Sequence, residues 1–146
     1  RDKNMIESLP NEWFTSYTSF QAKYGLKVIS ELDEKDKERI ENVNYIKMNT
    51  SNTHYPSGVE EGENVYWQLL AYFDDPAKTQ KYFHQKRIDT STTSLEKIST
   101  LQCYPYQSYT PNADKLYANG FFIPSYPGLS KNELSYICSV INGKPS

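Results

Sequence analysis

The stretch Phe121-Phe122-Ile123-Pro124-Ser125-Tyr126-Pro127-Gly128-Leu129-Ser130-Lys131-Asn132-Glu133-Leu134-Ser135-Tyr136-Ile137-Cys138 decides how this chain folds. Phe121 to Pro124 is a short apolar run, which predicts a strand. Two prolines and Gly128 break the regular pattern after it. Ser130 then stands as a helix cap, and Glu133 three residues later completes a capping box. Leu129, just before the cap, can staple onto Leu134. Leu134, Ile137, Cys138 and Ile141 recur at helical spacing as a buried stripe, and Gly143 ends the helix.

Working upstream, Thr110-Pro111 pairs a cap with a proline at the first helical position. This predicts a helix to about Asn119, with Gly120 as its left-handed C-terminal residue. Asp75-Pro76 opens another helix in the same way, running to about Lys86 and burying Ala77, Tyr82 and Phe83. Between these two, Ile88 to Ser94 reads as a short strand or a loop. The run Val65-Tyr66-Trp67-Gln68-Leu69-Leu70-Ala71-Tyr72-Phe73 is so apolar that it predicts a central strand covered on both faces. Asn49 to Asn64 is polar and broken by Pro56, Gly58 and Gly62.

From about Thr18 to Met48 the pattern is helical, with Phe20, Tyr24 and Val28 four residues apart and Leu26, Ile29, Leu32, Ile40 and Val43 extending an apolar stripe. Interleaved charges from Asp33 to Arg39 place Asp33 and Lys37 at a helix-supporting spacing on a solvated face. The whole predicts an α+β fold, a two-layer domain with a small, mostly antiparallel sheet covered by helices and preceded by one long helix. Residues 1–146 form a single domain in this reading, the connecting helix taking about 18–48 and the small α+β part about 49–146.

Charge and composition narrow the function classes. The chain has 146 residues with 16 Lys+Arg against 18 Asp+Glu, a formal net charge of −2. Such a balance offers no clustered basic face for phosphate backbones, so no nucleic-acid partner is expected. No apolar run approaches the roughly 18–20 residues that span a bilayer, and no secretory leader is visible, so no membrane role is expected and the localisation is cytoplasmic. Thirteen tyrosines, which bury large rings and keep a polar tip, offset a modest aliphatic content. Cys103 and Cys138 are too few for a disulfide scaffold and read as reduced thiols.

The catalytic inventory is thin. His54 and His84 belong to no paired motif, no metal-ligand spacing occurs, and neither a phosphate-cradling loop nor a nucleophile elbow is present. Glu60-Glu61 and Asp74-Asp75 are loop or cap carboxylates. The unusual run is Tyr104-Pro105-Tyr106-Gln107-Ser108-Tyr109, whose aromatics can stack on sugar rings or bases, or pack an irregular loop. On the residues alone this is an α+β domain with no self-contained active site.

Four segments carry a family pattern. The stretch from Asn119 to Ile137, with its Ile123-Pro124-Ser125-Tyr126-Pro127-Gly128-Leu129-Ser130 turn and acidic helix, resembles the carboxy-terminal end of the DegT-type nucleotide-sugar aminotransferases. Phe20-Gln21-Ala22-Lys23-Tyr24-Gly25-Leu26, with Leu32-Asp33 and Arg39, resembles that family's Q-A-A-x-G-L helix. Ile88-Asp89-Thr90 resembles its G-I-x-T, with Arg87 where the glycine stands, and Tyr104-Pro105 resembles its Y-P. The four occur in the family's order across nearly the whole chain.

The resemblance implies a homodimeric, fold-type I enzyme dependent on pyridoxal phosphate (PLP). It moves an amino group from an amino-acid donor onto a keto sugar linked to a nucleotide. This chain looks like the small domain and connecting helix alone, without the large domain that carries the cofactor and its lysine. It would then bind no PLP itself and be inactive as a fragment. Implied substrate-side residues are Tyr104, Tyr106 and Gln107; implied partner-subunit contacts are Trp13, Phe14 and Ser16. No catalytic residue and no metal are expected. Phe14 and Ser16 replace the family's Asn-x-Arg, and Gln107 and Ser108 stand where its histidine follows Y-P. These departures keep a second reading open: a non-catalytic carbohydrate- or protein-binding module on the same fold.

Overall fold

The computed structural model describes residues 16–51, 53–56, 64–92, 97–100 and 109–143. The leading helical segment is present in two pieces, α1 (Ser19–Ser30) and α2 (Leu32–Asn49). Thr18 caps α1 through a reciprocal box with Gln21, at 3.2 Å and 2.9 Å. The division falls where the Ser30 hydroxyl donates to the Lys27 carbonyl at 2.8 Å, a side-chain bond that competes with the helical ladder. The charged run pairs differently from the expected Asp33–Lys37. Lys37 lies 3.9 Å from Glu41, while Glu31–Lys35 and Asp36–Arg39 each close at 2.7 Å.

Three strands, β1 (Leu69–Tyr72), β2 (Ser91–Thr92) and β3 (Gly120–Ile123), form an antiparallel sheet in the order β1-β3-β2. This corrects the expectation of a long central strand over Val65–Phe73. β3 is the central strand and offers four partner positions, so only Leu69–Tyr72 pairs with it. As an edge strand, β1 buries Leu69 and Ala71 and leaves Leu70 and Tyr72 half covered, while Val65 and Trp67 are 57 % and 80 % exposed.

Helix α3 (Pro76–Gln85) starts as expected, with the Asp75 carboxylate accepting from the Lys78 amide at 2.9 Å. Phe83 is fully buried, but Ala77 is exposed, contrary to expectation. Six residues separate them, which turns Ala77 about 120° round the helix from the core stripe. Helix α4 (Pro111–Asn119) runs straight into β3. Gly120 is correspondingly extended, at φ −70° and ψ 133°, and is no left-handed cap. Its glycine serves space instead: a Cβ there would be driven into the Leu116 carbonyl oxygen and against the Leu70 methyl.

Helix α5 (Lys131–Asn142) forms as the sequence predicts. The Ser130 amide donates to the Glu133 carboxylate at 2.7 Å, and the Glu133 amide donates to the Ser130 hydroxyl at 3.3 Å. Leu134, Ile137, Cys138, Val140 and Ile141 are buried, with Leu129 packed against them. The core joins this stripe to Val43 and Ile46 of α2 and to an edge-to-face aromatic trio. Phe121 lies 5.0 Å from Phe73 and 5.3 Å from Phe83 between ring centres. Among the described residues no helix is long and apolar enough to cross a membrane.

Candidate functional site

Among the described residues, a cleft of about 440 Å³ lies at one end of the sheet. One wall is the turn after α3, Arg87 to Ser91. Helix α5 lines it as well, through Glu133, Tyr136 and Ile137. Phe122 to Tyr126 closes the side between them, and Trp67 and Gln68, just ahead of β1, form the lip.

The Arg87 wall is built by a helix-ending motif. The Ile88 amide donates back to the Phe83 carbonyl at 3.0 Å and the Arg87 amide to the His84 carbonyl at 2.9 Å, the paired bonds of a Schellman turn. That turn requires a left-handed residue, and Arg87 supplies it with φ 58°. Ile88 then drops into the core, and the Thr90 carbonyl accepts from Gln80 at 3.1 Å. The Thr90 side chain is 7 % exposed, and its hydroxyl has no hydrogen-bond partner.

The other walls are pinned as firmly. Buried Asn42 donates to the Tyr126 carbonyl at 2.9 Å, tying the segment after β3 to α2. Gly128 turns that segment at φ 90°, and its amide donates to Glu38 at 3.2 Å. Tyr136 donates its hydroxyl to the Lys86 carbonyl at 3.0 Å, so α5 closes the end of α3.

The electrostatics are uneven. Two bonds from Ser130 hold the Glu133 carboxyl below the usual carboxylate range and commit it to the helix cap. The Arg87 guanidinium has no ion pair or hydrogen bond among the described residues. No lysine, histidine or cysteine lines the cleft, and no group of three potential metal ligands occurs among the described residues. Cys138 lies inside α5, where burial pushes its thiol up. Among the described residues, no side-chain hydroxyl lining the cleft is hydrogen-bonded to a histidine or a carboxylate, the pairing an activated nucleophile needs.

Of the candidate residues from the sequence, Tyr104, Tyr106, Gln107, Trp13 and Phe14 lie outside the described residues. Ser16 is exposed just ahead of α1 and lines no part of the cleft. The cleft instead presents Arg87, Thr90 and Trp67. Arg87 and Thr90 belong to the segment that resembles G-I-x-T, a signal pointing to the right place. Trp67 was hidden inside an apolar run read as a strand.

Residues 15–142 match the sequence profile of the DegT/DnrJ/EryC1/StrS aminotransferase family. No curated protein matches the chain in sequence. Among solved structures, a DegT DnrJ EryC1 StrS aminotransferase from Brucella abortus superposes with a TM-score of 0.74 at 16 % identity, over 85 % of this chain and 35 % of that one. DesV from S. venezuelae, solved with a ketimine intermediate, gives 0.74 at 14 % identity, over 84 % and 35 %. The sugar aminotransferase CalS13 from Micromonospora echinospora gives 0.70 at 18 % identity, over 81 % and 33 %. At these identities the likeness is one of fold, and the chain spans about a third of each of these proteins.

Proposed function

The chain belongs to the DegT/DnrJ/EryC1/StrS aminotransferase family, and from that premise we propose that it is the carboxy-terminal small domain, with its connecting helix, of a sugar aminotransferase. The enzyme transfers an amino group from an amino-acid donor to a nucleotide-linked keto sugar, works as a cytoplasmic homodimer, and is inactive when reduced to these 146 residues. The observation that carries this reading is the family match across residues 15–142 on a fold that spans only a third of the sugar aminotransferases it resembles.

Enzymes of this family are PLP-dependent. PLP needs a lysine amine for its covalent attachment, and no lysine lines the cleft. The lining of the cleft offers no such amine, and no chemical step is assigned to it. Its part in the proposal is to bind and orient substrate from one side. In this proposal Tyr104, Tyr106 and Gln107 are further substrate-binding residues, and Trp13, Phe14 and Ser16 are contacts to the partner subunit.

The test is expression of the complete polypeptide with PLP. The reading expects the visible absorbance of lysine-bound cofactor and amino transfer from glutamate to a nucleotide-linked keto sugar. Absence of a lysine-bearing domain and of that absorbance overturns it in favour of a carbohydrate- or protein-binding module.

A further inference from the structure

We propose that Arg87 is the phosphate-recognising residue of the cleft, and that the phosphate it takes is that of a nucleoside diphosphate carrying the sugar. The inference rests on the reading above for the site's purpose, but the argument for Arg87 is local.

Arg87 occupies a left-handed conformation at φ 58°. An L side chain there is strained in a way that glycine is not. The turn needs only the backbone, and glycine would make it without strain, so the side chain has no structural reason to be present. Strain of that kind, in the wall of a cleft, points to use of the side chain. The guanidinium is exposed and unpaired among the described residues. Its planar fork of donors matches phosphate oxygens in a bidentate contact.

The surroundings narrow the ligand further. Glu133, which also lines the cleft, is committed to Ser130 and remains a cap. Asp89, two residues along the same wall, is exposed and unpaired among the described residues. It disfavours a bare polyanion and favours a ligand that also brings hydroxyl donors, as a sugar does. Trp67 at the lip offers an indole 80 % exposed, a stacking surface for a base. Anion, hydroxyls and ring together describe a nucleotide sugar.

The experiment is titration calorimetry on the complete polypeptide with uridine diphosphate, and separately with uridine, using wild type, Arg87→Gly and Arg87→Gln. Both variants are expected to bind the diphosphate about tenfold or more weakly, the scale of a lost charged hydrogen bond. Uridine binding should be equal in all three. Arg87→Gly relieves the backbone and should raise the melting temperature, so its weaker binding cannot come from misfolding; Arg87→Gln keeps the strain and controls for the backbone change. Diphosphate affinity within twofold of wild type in either variant, absence of diphosphate binding by wild type, or an equal loss for uridine overturns the inference. An amino-transferring enzyme with Arg87-independent affinity would sink this inference alone, whereas Arg87-dependent binding by a polypeptide without cofactor absorbance would sink the enzyme reading alone.

Discussion

Gly120 and Glu133 show how much of this fold turns on single atoms. Gly120 joins α4 to β3 with no linking residue, and the absent Cβ leaves room for the Leu116 carbonyl. Gly120→Ala should cost about 1–3 kcal/mol through forced backbone movement, read as a lower midpoint in urea with an unchanged slope. A change below about 0.3 kcal/mol would show that the α4–β3 junction relaxes freely. Glu133 acts through charge. Its folded carboxyl is held below its unfolded value by Ser130, so the charged form stabilises the fold above about pH 4.3 and that contribution is lost as the pH falls through the lower folded value. Glu133→Gln keeps an acceptor for the Ser130 amide but cannot titrate. Wild type should exceed Glu133→Gln in stability at pH 7, and the two should converge in acid; thermal melts from pH 7 to pH 3 check this, and a constant difference would refute it.

Among the elements, the two leading helices divide the labour. α2 buries Val43 and Ile46, whereas α1 buries nothing, despite four-residue spacing of Phe20, Tyr24 and Val28. Ile46→Ala should therefore cost about 2–4 kcal/mol. Ile29→Ala, at a position 66 % exposed, should change stability of this chain by less than about 0.5 kcal/mol. Chemical denaturation of both variants checks the contrast. Legibility follows the same division between local and long-range causes. Helix α5 was fully readable because Ser130, Glu133 and its apolar stripe lie within one stretch. The rank of β1 was not, because centrality in a sheet depends on pairing Leu69 with Ile123, 54 positions away. Ser30, which diverts the Lys27 carbonyl, is too ordinary a residue to announce a helix break. The cleft was half legible: Ile88-Asp89-Thr90 marked one part of it, but only the tertiary fold brings Arg87, α5 and Trp67 into the lining of one cleft.

At the scale of the whole molecule, α1 is a helix whose apolar surface has no counterpart within the described residues. Phe20 is 79 % exposed and Ile29 66 %, with Tyr24 and Leu26 exposed between them. A surface of that kind marks a place where another body packs, and left open it drives self-association. In the proposed enzyme the large domain or the second subunit covers it. Sedimentation velocity of the 146-residue chain should therefore show a coefficient that rises with concentration. The double substitution Phe20→Glu, Ile29→Glu should suppress that rise while leaving the melting temperature unchanged, since α1 contributes nothing to the core. In the complete polypeptide the same pair should lower the melting temperature, because there the charges would be forced into a covered face. A concentration-independent coefficient for the wild-type chain, together with no effect of the pair in the complete polypeptide, would mean that α1 is solvated in both and that its apolar face is no packing surface.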